Sequence, residues 1–254
     1  MPRIVAVVNQ KAGVGKTTTV ASLGAAFAEL REQVLMVDLD PQAHLTTSLG
    51  INSESLESSV HEVISTKLPL ADATVSVSSY LDLVPSTIEL TATETKLLTR
   101  PGREYVLREG LKTSSVDYDW VLIDCSPSLG LLTHTALTAA DDVLIPIHAE
   151  NLSHRGLRQL FETMHEIRQF TNPELNALGL LPVMFEGSHE VGRGLLAELE
   201  RTYSVRVWPA VPVAARFKES MNRGGSILAT DTQSPAAMAY RDLARGLIAT
   251  LPLD

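Results

Sequence analysis

Gly13, Gly15, Lys16 and Thr17 fall within one short stretch, Asn9-Gln-Lys-Ala-Gly-Val-Gly-Lys-Thr-Thr-Thr19, and together suit the binding of a polyphosphate. Glycines let a loop turn its backbone N–H groups toward phosphate oxygens, a lysine reaches the outer phosphates, and a threonine hydroxyl can bind Mg2+. The general pattern G-x-x-x-x-G-K-[ST] is not met in full. Gln10 occupies the first glycine position, and a second lysine, Lys11, opens the loop. Carboxylates at two further places in the chain could serve the same chemistry. Asp38 and Asp40 follow the apolar run Val34-Leu-Met-Val, and their separation by one residue turns both to the same side of an extended chain. Asp40 is thereby suited to orient a water for attack on a γ-phosphate, or to reach Mg2+. Asp124 closes the run Trp120-Val-Leu-Ile, where a carboxylate can hold Mg2+ behind a phosphate loop.

Such groups must be held at the ends of strands. Apolar runs recur at 4–8, 34–37, 81–84, 120–123, 143–147 and 178–183, each short, unbroken and rich in β-branched residues or leucine. Unbroken runs of that length predict strands buried on both faces of a sheet. Between them, 17–30 predicts a helix with Val20, Leu23, Gly24, Phe27 and Leu30 on one side. Leu157, Leu160, Phe161, Met164 and Ile167 mark a second helix, with Ser153 as its cap, and 195–203 and 236–251 mark two more. Residues 52–79 are polar and rich in serine and threonine, and read as surface helices and loops. Strands alternating with helices predict α/β architecture: a mainly parallel twisted sheet with helices on both faces, in one domain spanning 1–254.

Composition narrows the function. With 254 residues, 44% apolar and 20% charged, the chain reads as a soluble globular protein with an aliphatic core. No apolar run approaches the roughly 18 residues of a membrane span, and the strand beginning near Arg3 leaves no room for a signal peptide. The single cysteine, Cys125, excludes a disulfide framework and points to a cytoplasmic chain. It reads as a packed residue rather than a nucleophile, because no histidine lies near it in sequence. The seven histidines lack metal-ligand spacing. A net charge of −9 argues against a strongly basic nucleic-acid binder. Between Arg193 and Arg245, however, eight Lys/Arg stand against five Asp/Glu, leaving that stretch at +3 and the remainder at −12. A local basic face of that kind could hold a phosphate backbone.

The phosphate stretch, Val37-Asp-Leu-Asp-Pro-Gln42, and Asp119-Trp-Val-Leu-Ile-Asp124 resemble the ParA/Soj/MinD group of deviant Walker ATPases. The resemblance continues through Ile145-Pro-Ile-His-Ala-Glu150 and 211–227, and the wording of these runs is closer to the ParA/Soj branch than to MinD. The resemblance implies a P-loop ATPase with ATP and Mg2+ as its ligands. Lys11 would reach across a face-to-face homodimer to the partner's ATP, and Lys16 would bind the β- and γ-phosphates. Thr17, Asp40 and Asp124 would serve the metal and the attacking water. Ala12, Gly13, Val14, Gly15 and Thr18 would complete the nucleotide cradle, with Met184 and Pro212 as walls of the adenine pocket. It also implies ATP-dependent, non-specific DNA binding on the nucleoid, and stimulation by a ParB-like centromere-binding partner. A non-chromosomal cargo is the alternative. A MinD-like membrane cycle would need a basic amphipathic tail, whereas the last helix reads as packed.

Two departures from the family pattern stand out. The family writes Lys-Gly-Gly where this chain has Lys11-Ala12-Gly13, and Ala12 lies where two subunits would approach. A positive φ at that position would strain an alanine. In Val211-Pro-Val-Ala-Ala-Arg216, Val213 stands where relatives carry an arginine. Arg216 is retained and is the first DNA-binding candidate, with Lys218, Arg223 and Arg193 beside it.

Overall fold

The structure, a computed structural model, describes residues 1–112, 117–148, 153–185, 190–214, 216, 217, 219 and 225–250, with backbone alone at 190–193 and 195. Strand β1 (Arg3–Val7) leads into α1 (Lys16–Glu29), β2 (Val34–Leu39) and a short α2 (His44–Ser48). Then come α3 (Val60–Ser65), β3 (Val75–Ser78), β4 (Leu81–Val84), α4 (Leu90–Leu97) and α5 (Val106–Lys112). The alternation continues with β5 (Trp120–Cys125), α6 (Leu131–Ala139), β6 (Asp142–His148), α7 (His154–Phe170) and β7 (Asn176–Phe185). Last come α8 (Glu190–Tyr203), β8 (Val211–Pro212), α9 (Ile227–Thr230) and α10 (Pro235–Ile248). The strands form one eight-stranded sheet in the order β3-β4-β2-β5-β1-β6-β7-β8. All pairings are parallel except β3 with β4.

Residues of the central strands alternate between two cores, which is why their runs are apolar without a break. Val5, Val7, Val34, Met36, Trp120 and Leu122 pack under α1, α9 and α10. Ala6, Leu35, Val37, Val121 and Ile123 pack on the opposite face, against α3 to α7. Phe27 of α1 stacks on Trp120 of β5, with ring centroids 4.3 Å apart. The six strands read from apolar runs are all present, but β3 and β8 are additional. β3 lies within the stretch read as helices and loops. It is an edge strand whose side chains alternate half-buried and exposed, so it carries no apolar run. β8 has two residues, too few to register as a pattern.

From β1 the chain crosses to β2, and from β5 it crosses back over β1 to β6. The connections thus diverge around the β5–β1 pair. In open α/β sheets a ligand crevice forms at such a point, outside the carboxyl ends of the strands. The loops that follow β1, β2 and β5 all emerge there.

Candidate active site

The loop after β1 owes its shape to two glycines. Gly13 has φ +74° and Gly15 has φ +78°, the latter at the N-cap of α1. A Cβ added at Gly13 would meet nothing within 4 Å, and at Gly15 only Val183 Cγ2 at an ordinary 3.5 Å. Glycine is therefore required for the left-handed backbone rather than for space. Ala12 is exposed and does not have a positive φ, so its methyl group strains nothing within the subunit. No side chain caps α1 and no acidic residue sits in its first turn. Its leading N–H groups, at the positive end of the helix dipole, are thus left for an external anion.

Asn9 anchors this loop, a role that its sequence position did not reveal. Its Nδ2 donates to the Pro146 carbonyl of β6 at 2.7 Å, and its Oδ1 accepts from Lys11 N at 2.9 Å. Lys16 is buried, 7% exposed, and its Nζ donates to the Lys11 carbonyl at 3.4 Å. Burial lowers its pKa, while the negative charges of Asp124 and Asp40 oppose that shift. Thr17 and Thr18 are half-buried beside it, and Val14 is buried. Lys11 itself is exposed at the mouth of the loop.

Asp38 and Asp124 are direct register partners on β2 and β5, and both are fully buried. Asp38 is well supplied with donors. Its Oδ2 accepts from Thr46 N at 2.9 Å and Thr46 Oγ1 at 2.7 Å, and its Oδ1 from Asp40 N at 3.1 Å. Burial raises its pKa to about 6, against the pull of those hydrogen bonds. Asp124 is the opposite case: neither oxygen has a hydrogen-bond partner of ordinary geometry. Burial, and then the charge of Asp38, raise its pKa well above the carboxylate range. The nearby Thr17 hydroxyl and Lys16 ammonium act the other way. A buried carboxylate without donors is costly, and the cost is relieved by a cation. Hydroxyl and carboxylate oxygens suit a hard ion such as Mg2+. Among the described residues no three His, Cys, Asp or Glu side chains converge to hold a metal on their own. Thr17 and Asp124 would therefore share the ion with phosphate and water oxygens. Asp40, 7% exposed, accepts from Gln42 N at 3.0 Å on Oδ1 and has Oδ2 3.8 Å from His44 Nδ1. Cys125 is buried and burial pushes its thiol pKa up, which fits a packed residue and not a nucleophile.

A phosphate loop, an uncapped helix and a donor-starved carboxylate on the adjacent strand define a class of site; comparison with known proteins identifies the family. The AAA domain family matches residues 2–177. The sporulation initiation inhibitor protein Soj of Bacillus subtilis (strain 168) is 36% identical over 251 residues, covering 98% of this chain and 99% of Soj. The chromosome partitioning protein ParA of Myxococcus xanthus is 36% identical over 248 residues, covering 97% of this chain and 88% of its own. The chain belongs to the ParA/Soj family of ATPases. Among solved structures, a Mycobacterium smegmatis protein named cobyrinic acid a,c-diamide synthase is 41% identical. It superposes with a TM-score of 0.87, covering 98% of this chain and 94% of its own. That protein was crystallised with ADP and magnesium, and with an ATP analogue and magnesium.

The remaining positions expected from the ParA/Soj resemblance are dispersed. Met184 and Pro212 sit side by side at the carboxyl ends of β7 and β8. There a bulge between the Val183↔Val211 and Phe185↔Pro212 pairs leaves Met184 with φ +53°. Val183, the residue before Met184, borders Gly15 of the loop after β1. Arg216 is exposed. Lys218 and Arg223 lie outside the described residues, as does the side chain of Arg193. The fold itself uses part of the local basic excess. Arg241 makes two hydrogen bonds to Glu29, at 2.6 and 2.8 Å, Arg245 pairs with Asp242 at 2.9 Å, and Arg206 lies over the Trp208 ring at 3.7 Å. α10 packs against α1 through Ala236, Ala237, Tyr240, Leu243, Ala244 and Leu247, as a core helix does. No helix among the described residues is long and apolar enough to cross a membrane.

Proposed function

We propose that this chain is an ATP-dependent dimer switch for DNA segregation, working as a single ATPase domain. Lys16 and the N–H groups of residues 12–18 bind the β- and γ-phosphates of ATP, with Met184 and Pro212 against the adenine. Thr17 and Asp124, with Asp40 in reach, hold Mg2+, which when bound neutralises phosphate charge. Asp40 orients the attacking water. Lys11 stabilises charge developing on the partner subunit's nucleotide, as an arginine finger does. The ATP-bound homodimer binds DNA non-specifically through Arg216, Lys218, Arg223 and Arg193. Hydrolysis, stimulated by a ParB-like centromere-binding partner, releases it.

The observation that carries this reading is Lys11, exposed at the mouth of a phosphate loop whose other lysine is already buried toward Asp124 and Asp40. The similarity to Soj and ParA along nearly the whole chain supports the biological role. A competing role is suggested by the name of the Mycobacterium smegmatis relative, since an amide-forming synthase would couple ATP turnover to a carboxylic acid and a nitrogen donor. The two are separated by measuring turnover without any acid acceptor. A segregation ATPase turns over slowly on its own and accelerates with DNA and partner; a synthase does neither. Size-exclusion chromatography with ATP, with ADP and without nucleotide is the direct test of the switch. ATP alone should shift the protein to a dimer and promote salt-sensitive DNA binding that Arg216→Ala weakens. Unchanged elution in all three conditions, for both the natural protein and Ala12→Gly, would sink the switch.

A further inference from the structure

Thr46 is fully buried in α2, six residues beyond Asp40, and its hydroxyl joins two loops. Its Oγ1 accepts from Ser86 N at 2.9 Å and lies 2.7 Å from Asp38 Oδ2. Ser86 N can only donate, so the single hydroxyl proton of Thr46 goes to Asp38. The direction of the chain is therefore determined: the loop after β4 donates to Thr46, and Thr46 donates to Asp38. Thr46 N donates to the same carboxylate oxygen at 2.9 Å, and the other oxygen takes Asp40 N at 3.1 Å. Asp38 thus grips both ends of the segment from Asp40 to Thr46.

Inside that segment the remaining groups close on Asp40. Gln42 N donates to Asp40 Oδ1 at 3.0 Å, and Ala43 N donates to the Asp40 carbonyl at 2.9 Å. Ala43, buried, is held at φ +52°, a left-handed conformation that a residue with a Cβ keeps only when its surroundings impose it. We propose that Thr46 is a positioning residue for Asp40. Acting through Asp38, its hydroxyl fixes the Asp40 carboxylate relative to the phosphate loop and ties that carboxylate to the loop after β4. The consequence for turnover rests on the ATPase reading above; the positioning itself does not.

The test uses the whole chain with Thr46→Val, which removes the hydroxyl at nearly equal volume, and Thr46→Ser, which keeps it. Amide hydrogen exchange of the nucleotide-free protein should speed up roughly tenfold or more at Asp40, Gln42 and Ser86 in Thr46→Val, as expected when a buried hydrogen-bonding group loses its partner. Amides of β5, at Val121 to Ile123, should keep their protection, and Thr46→Ser should match the natural protein throughout. In steady-state assays kcat should fall by about tenfold in Thr46→Val while KM for ATP stays within about twofold, with Thr46→Ser restoring kcat. Unchanged protection at Asp40 and Gln42 overturns the proposal. So does loss spread evenly over the sheet, which is the mark of a general packing role. Where valine prevents folding, Thr46→Ala carries the same readout. If the natural protein hydrolyses no ATP, the ATPase reading falls, while the exchange experiment still decides the positioning.

Discussion

The loop after β1 and the loop after β2 leave neighbouring regions of the same sheet, yet they are shaped by opposite means. The first relies on backbone freedom. Gly13 and Gly15 take left-handed φ values, α1 begins uncapped, and the N–H groups remain available for a ligand. The second spends its donors internally. Asp40 N, Gln42 N, Thr46 N and Thr46 Oγ1 all go to Asp38 or Asp40, and a buried alanine is held at positive φ. A loop that keeps its donors open can bind, whereas a loop that has satisfied them can only position. The same contrast separates the two buried aspartates, since Asp38 accepts three hydrogen bonds whereas Asp124 has no partner of ordinary geometry, with only the Thr17 hydroxyl and the Lys16 ammonium nearby.

The comparison can be broken at several points. The largest effect is expected from Lys16→Ala, which removes the buried charge facing Asp124 and Asp40. Isothermal titration should show ATP binding weakened about 100-fold, equivalent to about 2.7 kcal/mol. An affinity within a few-fold of the natural protein would mean that the loop N–H groups bind phosphate alone. Next is the pH dependence of the carboxylate pair. The folded protein holds a proton on Asp38 up to about pH 6, and the pKa of Asp124 is raised as well, whereas unfolded aspartates release theirs near pH 4. In that window the native state binds more protons than the unfolded one. The stability of the nucleotide-free protein should therefore fall as pH rises from about 4 to 6, by up to about 1.4 kcal/mol per pH unit for each proton held. Denaturant titrations of Asp124→Asn, which removes the like charge facing Asp38, should give a flatter profile; an unchanged slope would assign the effect to other groups. Smaller still is the contrast within the phosphate loop. Gly13→Ala forces a Cβ into left-handed backbone and should cost about 1 kcal/mol. Ala12→Gly relieves no such strain and should change stability by less than about 0.5 kcal/mol in the monomer. Equal costs at the two positions would refute the assignment of the loop's shape to φ.

Much of the site could be read before any coordinates. Gly13, Gly15, Lys16 and Thr17 are consecutive or nearly so, and their chemistry depends on backbone angles that neighbouring residues determine locally. Asp124 was recognisable because an apolar run ends on it. Asn9, Thr46 and Ser86 were not, because each acts on a partner far away in sequence, and a polar residue in a loop carries no mark of its partner. The same holds for Arg241, which counts toward a basic stretch in the sequence and is neutralised by Glu29 in the fold. β3 differs for a related reason: an edge strand half-buried on one face carries Val75 and Val77 in alternation with serines and not an unbroken apolar run.

The sequence by itself determined the phosphate loop, the parallel α/β architecture and the carboxylates at the strand ends, because local conformational limits and the burial of central strands act through adjacent residues. Only the tertiary structure decided which buried carboxylate is supplied with hydrogen-bond donors and which lacks a partner of ordinary geometry. That distinction arises when β2, β4 and β5 pair in register, so that Thr46, held by Ser86, donates to Asp38 while Asp124 gains no hydrogen bond of ordinary geometry.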